Sequence, residues 1–500
     1  MNKKRTTPYF IFLIAAIFLA GCATGPEFQR PAPPRVADYT PTPVDDASST
    51  LADSQTIIPG EGPTPYWWRS MNCPKLETLI NEAMERNPTL MAAEATMHQA
   101  QELYAAQAGH TNYPQIEGGL NLQRRRFNPG ALGQGGEARE FSLYNASIGV
   151  HYTFDLAGGN RSALEALAAR SDYQLFQLEA ARLTLIANIV TTAISQASTR
   201  KQIEITNSIL RAQEKQLELM EASILLGRGE PADALALQTQ VEQRRATLPL
   251  LQNQLQESEH LLAVLVGKAP GQAPMPSFSL EDFTLPSELP LLIPSELVRS
   301  RPDILGAEAL LEAANADYGV AVSKLYPQFT LGTDLGSQAL TVGKLFNSSS
   351  VVWDLVGQLT QPLFNPGLPA EKRAALAAFD AAAANYQYVV LEAMRNVADV
   401  LRALENDSKR LEALSNADLA SEKSLETTQR RYALGANSYF DVLSAQQLRL
   451  QTELDLVEGQ SKRLFNTVAF YQAMGGGFYD FSGSLDDLSA PQEKEQTLLQ

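Results

Sequence analysis

Two acidic side chains stand where a helix would begin, Asp233 in Glu230-Pro231-Ala232-Asp233 and Asp441 in Ser438-Tyr439-Phe440-Asp441. A carboxylate there stabilises the helix N-terminus by about 0.3–1 kcal/mol. Other reactive chemistry is sparse. His98, His110, His151 and His260 lack metal-ligand spacing, and no Gly-x-x-x-x-Gly-Lys-Ser/Thr loop or Gly-x-Ser-x-Gly elbow occurs. The Gly130 to Gly136 cluster falls between two strand patterns and reads as an external loop. His151 lies on the polar side of a strand pattern, a position for packing or for lining a lumen. No enzyme activity, metal site or cofactor is expected. The elements that position the two acids are helix stops. Gly227 and Gly435 each end a helical pattern, where positive φ is needed. Asn437 or Ser438 can cap the next helix, and Pro231 suits a first turn. Both Gly227/Gly435 and Asp233/Asp441 stand 208 positions apart, so each stretch reads as the tip of a helical hairpin.

The chain opens with an export signal over residues 1–21, Lys3-Lys4-Arg5 before an apolar run from Phe10 to Ala20. Leu19-Ala20-Gly21-Cys22 resembles the bacterial lipobox, which implies cleavage before Cys22 and a covalent lipid on its sulfur. Ala23 follows, so nothing retains the protein in the inner membrane. Cys73 is the one other cysteine and reads as a packing residue. Residues 22–65, rich in Pro, Thr, Ser and Asp, read as a lipid-anchored extended tether.

With 500 residues the chain exceeds one ordinary core, and its net charge of −16 argues against a nucleic-acid partner. No mature segment holds the roughly 20 continuous apolar residues of a spanning helix. A first repeat covers 66–267. It holds two helices broken at Asn87-Pro88, a β-hairpin over about 115–155 with period-2 alternation, and a long helical hairpin over about 161–266. Pro249 should kink or interrupt the return helix. A Pro-rich linker, 268–294, leads to a second repeat, 295–477, with a β-hairpin over about 328–363 and a long hairpin over about 369–475. Residues 156–267 map onto 364–475 without a gap, which marks a duplication. An acidic, Gln-rich tail, 478–500, ends the chain.

Each strand has one apolar and one polar face at a length that crosses a bilayer. Four strands cannot close a barrel, and an open edge in lipid costs several kcal/mol per unpaired group. Strands in a membrane therefore require several chains per barrel, and three would give twelve strands. The other reading of the alternation is two water-soluble hairpins on a helical core.

Leu297-Val298-Arg299-Ser300-Arg301-Pro302-Asp303-Ile304 resembles a hallmark of outer-membrane efflux proteins. So do Gly25-Pro26 and Arg30-Pro31 after Cys22, Tyr113-Pro114, Tyr326-Pro327 and the terminal Met474-Gly475-Gly476-Gly477. Together they are similar to the lipoprotein branch of the TolC-like channels of tripartite pumps. The resemblance implies a mainly α, duplicated fold assembling as a homotrimer, a twelve-stranded outer-membrane barrel continued by a long periplasmic α-helical barrel. It also implies a periplasmic adaptor and an inner-membrane transporter, often of the resistance-nodulation-division class. It places a gate at the second tip. Arg431-Tyr432 matches a pair linked to closure, Phe440 an apolar constriction, and Asp441 a ring of carboxylates whose pKa mutual repulsion would raise. Relatives carry an acid where this chain has Ser444, so Asp441 either replaces it or serves only its helix end. Two other functions fit parts of the pattern, a non-conducting envelope scaffold and the same channel serving ABC-type protein secretion.

Overall fold

The computed structural model describes residues 24–42, 55–129, 133, 135–228, 230–272 and 274–477. Cys22, the signal segment and the tail 478–500 lie outside the described residues.

The chain divides into two compact units. The first comprises the described residues up to 31, then 95–175 and 306–387. Its centre is a four-stranded antiparallel sheet of β2 (Gln115–Phe127), β3 (Arg139–Phe154), β5 (Gln328–Ala339) and β6 (Val351–Thr360), in the order β2-β3-β5-β6. The two hairpins expected from alternation thus join edge to edge, leaving β2 and β6 as free edges. The register puts Ile148 beside Leu335 and Leu335 beside Trp353, and along the same face Ile116 beside Val150 and Phe154 beside Phe329. This face is apolar and bare: Leu335 is 60% exposed and Trp353 74%. From Tyr144 to Phe154 it extends about 33 Å along the strand, which a strand tilt near 40° turns into about 25 Å of height. That is the height of a lipid-facing band.

Helices α2 (Pro88–Asn112), α3 (Gly159–Leu225), α6 (Pro302–Ser323) and α7 (Gly367–Ala433) all join the strands at one end of this sheet. The hairpin loops occupy the other. Thr24 returns to the helix end, donating its backbone N–H (3.2 Å) and hydroxyl (2.8 Å) to the Ala157 carbonyl. Gly25 packs so closely on Gly319 of α6 that a Cβ would lie 2.8 Å from the Gly319 Cα.

The second unit comprises 32–94, 176–305 and the described residues from 388. Here α4 (Pro231–Leu265) and α8 (Tyr439–Ala473) return from the tips of α3 and α7. The two outgoing helices each have 67 residues and the two return helices 35, so the duplication is one of structure. At 1.5 Å per residue a 67-residue helix is about 100 Å long. A stretch of α3 is apolar and long enough to cross a membrane by composition alone, but 56% of it is buried against protein.

Three expectations are corrected. The segment 22–65 is not merely a tether, because Thr56–Pro59 forms β1, which pairs in parallel with β4 (Glu288–Leu291). Gln55 just before it is fully buried, its amide oxygen accepting from Arg463 Nε at 2.7 Å. The linker 268–294 likewise carries β4 and buries Phe278 and Phe283. Of the kink or interruption expected at Pro249, the interruption does not occur, and α4 runs from Pro231 to Leu265. Pro249 is exposed, so water can serve the Arg245 carbonyl that loses its i+4 donor. Helices α1 (Pro74–Arg86) and α5 (Pro294–Ser300) complete the unit, whose core includes Trp67 stacked on Tyr471 at 4.9 Å.

The two repeats close alike. Gly267 N–H donates to Val264 O and Lys268 N–H to Ala263 O, and Gly475 and Gly476 repeat this on Gln472 and Tyr471. These are Schellman ends with positive φ at Gly267 and Gly475. Beside them Asn87 donates to the Leu265 carbonyl at 2.8 Å, and Arg301 to the Ala473 carbonyl at 2.8 Å. The Arg301-Pro302-Asp303 motif is therefore a helix-end clamp.

Candidate functional site

Helix α7 stops because Gly435 takes φ 76°, as Gly227 takes φ 71° at the end of α3. Gly435 N–H donates to Tyr432 O and Ala436 N–H to Arg431 O, the same two bonds that Gly227 and Arg228 make to Ile224 and Ser223. Both hairpin tips thus share one backbone solution. They differ at the start of the return helix. Pro231 opens α4 with no side-chain cap, and Asp233 lies exposed in its first turn. In α8 the Ser438 side chain accepts from Asp441 N–H, while Ser438 N–H and Oγ donate to Asp441 Oδ2 at 2.8 and 2.7 Å. This is a complete capping box.

The capping bonds from Ser438, first the hydroxyl and then the backbone N–H, hold the Asp441 carboxyl below its usual range, and the Arg431 charge acts in the same direction. Within one chain the shift therefore runs opposite to the rise expected from a ring of like charges. The sign follows. A depressed carboxylate stabilises the tip at pH values above its unfolded pKa near 4, and the contribution fades as pH falls through the lower folded value.

Arg431, Tyr432, Phe440 and Asp441 all lie at this tip. Tyr432 and Tyr439 rings lie 5.6 Å apart across the turn, Phe440 is half-buried, and Val442 and Leu443 beyond it are buried. Ser444 does not join Asp441. Its hydroxyl donates to the Phe440 carbonyl at 3.0 Å and accepts from Gln216 of α3 at 3.2 Å, so it serves the contact between the two hairpins. Below it, Val457 of α8 packs on Ile205 and Ile209 of α3.

Asp334 and Asp354 lie on the polar strand face and are register partners. Glu117, Gly149, Asp334 and Asp354 form one row across all four strands. His151 stands in the adjoining row, where a Cβ on Gly332 would lie 2.8 Å from its Nδ1. Only strand register, which alternation does not supply, could have revealed the row. Among the described residues no group of three His, Cys, Asp or Glu side chains is placed to hold a metal.

The family model for outer membrane efflux proteins matches residues 79–268 and 293–476. The chain belongs to the outer membrane efflux protein family. The match falls in two blocks along the chain. A pyoverdine export outer membrane protein, OpmQ of Pseudomonas putida, is 30% identical over 86% of this chain and 91% of its own length. The cation efflux system protein CusC of Escherichia coli is 27% identical over 96% of this chain and all of its own. Among solved structures, the outer-membrane channel OprN superposes with a TM-score of 0.80 at 25% identity, over 91% of this chain and 99% of that one. The open state of the Neisseria gonorrhoeae MtrE outer membrane channel gives 0.77 at 26%, over 91% and 98%. The protein is accordingly an outer-membrane efflux channel and not an enzyme.

Proposed function

We propose that three copies of this chain close one twelve-stranded barrel, anchored by a lipid on Cys22 and gated at the second hairpin tips. The observation that carries this reading is the four-stranded sheet with a bare apolar face and two unpaired edges. Such a sheet is stable in lipid only when β6 of one copy meets β2 of the next. The polar row of Glu117, Asp334 and Asp354 then faces an aqueous lumen. Thr24, two residues after Cys22, bonds to Ala157 at the helix end of the sheet, which supports an anchor in the periplasmic leaflet.

At the periplasmic end, Phe440 side chains gathered around an axis exclude water, and Arg431, Tyr432 and Asp441 hold the tips together. A periplasmic adaptor and an inner-membrane transporter of the resistance-nodulation-division class supply energy and choose the toxic small molecules exported. Relatives named for pyoverdine and for cations fit a shared conduit whose cargo is set elsewhere. The test is leakage. Cells carrying R431A/F440A are expected to take up a bulky hydrophilic antibiotic that wild-type cells exclude. Unchanged uptake, with normal amounts of variant in the outer membrane, contradicts the gate.

A further inference from the structure

We propose that Arg124 and Arg126, at the loop end of β2, bind the phosphate groups of a phosphorylated glycolipid in the exterior leaflet. The inference rests on the membrane reading above, in which the hairpin loops face outward. On the apolar face of β2 the positions Ile116, Gly118, Leu120 and Leu122 are followed by Arg124 and then Arg126. Charge replaces apolar surface at the step where the band ends, which is headgroup depth. Register places Arg124 beside Ser142 and Arg126 beside Glu140 on the same face.

Among the described residues of β2 and β3, Glu140 is the one acid on this face, and it is shared. Arg124 Nη2 donates to Glu140 Oε2 at 3.2 Å, while Arg126 Nη1 lies 3.8 Å from Oε1, beyond a hydrogen bond. The two arginine side chains are 77% and 71% exposed, so these pairs are weakly held. Among the described residues one positive charge and most guanidinium donors have no partner, on a protein whose net charge is −16. The second β-hairpin brings no relief. Its loop end, from Leu340 to Trp353, contains no acidic residue. A planar guanidinium matches two phosphate oxygens at once, and basic side chains at headgroup depth gain from anionic lipid. The Ser142 hydroxyl adds a donor, and Tyr144, the next residue inward on this face, suits the interface. Arg125 projects to the opposite face and provides a built-in control.

Binding of diphosphoryl lipid A to the full-length protein in neutral detergent tests this. R124Q/R126Q is expected to bind about tenfold or more weakly than wild type. R125Q should bind as wild type, removing one lipid phosphate should weaken wild-type binding, and millimolar inorganic phosphate should not compete. Equal binding by R124Q/R126Q, an equal loss in R125Q, or full competition by inorganic phosphate overturns the proposal. Bilayer conductance of the same preparations keeps the two readings apart. A double variant that conducts and still binds lipid A normally removes this inference alone, whereas wild-type protein that never conducts removes the channel reading.

Discussion

Replacing Leu335 by Arg is expected to cost about 2–4 kcal/mol per chain and to strip the assembled protein from the outer membrane. Leu335 sits on a central strand, in the middle row of the apolar face, between Ile148 and Trp353. It is 60% exposed in the isolated chain. If that face met water, an exposed Leu→Arg change would be worth no more than about 0.5 kcal/mol. Lipid reverses this, because a guanidinium at the bilayer midplane loses its hydration. The control lies three residues away on the same strand. Gln338 is exposed on the polar face, and Gln338→Arg should leave assembly intact. Outer-membrane fractionation with quantification of both variants decides the matter. Equal recovery of L335R and Q338R would mean that the apolar face does not meet lipid.

Arg301→Ala is expected to destabilise the closure of the second repeat by about 2–3 kcal/mol. Its side chain is only 10% exposed and makes three hydrogen bonds to two groups. Nε and Nη2 form a fork on the Asp303 carboxylate at 3.0 and 2.7 Å, and Nη1 caps the Ala473 carbonyl at 2.8 Å. The cation also sits at the C-terminal end of α8, where the helix dipole favours it. Loss of the side chain leaves the Ala473 carbonyl without this donor, while the half-exposed Asp303 is rehydrated. Lysine keeps the charge but not the fork, so Arg301→Lys should recover only part of the loss. Amide exchange reports this locally: residues 470–476 should lose protection in the alanine variant and regain some in the lysine variant. Wild-type protection in Arg301→Ala would remove the clamp from the account.

Much of this architecture could be read from residue patterns because its rules are local. Period 2 marked the strands, long runs of Ala, Leu, Gln and Glu without a helix breaker marked the outgoing helices, and Gly227 and Gly435 marked the tips, where a residue tolerant of positive φ closes the turn. The parallel pairing of Thr56–Pro59 with Glu288–Leu291 was not visible, since four-residue runs carry no period and their partners lie far apart in sequence. The polar row across the sheet was hidden for the same reason, because register is a tertiary property. Pro249 leaves α4 continuous because the Arg245 carbonyl that loses its donor is exposed to water. At the tip, Asp441 was legible as an acid at a helix start. Its partner was not, because Ser438 and Asn437 were equally good caps until the backbone chose between them.

The proposed assembly makes this chain one third of a conducting pore. Single-channel recording of the purified full-length protein in planar bilayers tests it most directly. Discrete conductance steps are expected from wild type, with a larger open fraction for R431A and D441A, which loosen the tip. Silent bilayers for all three proteins, together with unchanged sensitivity of deletion cells to toxic compounds, would contradict it.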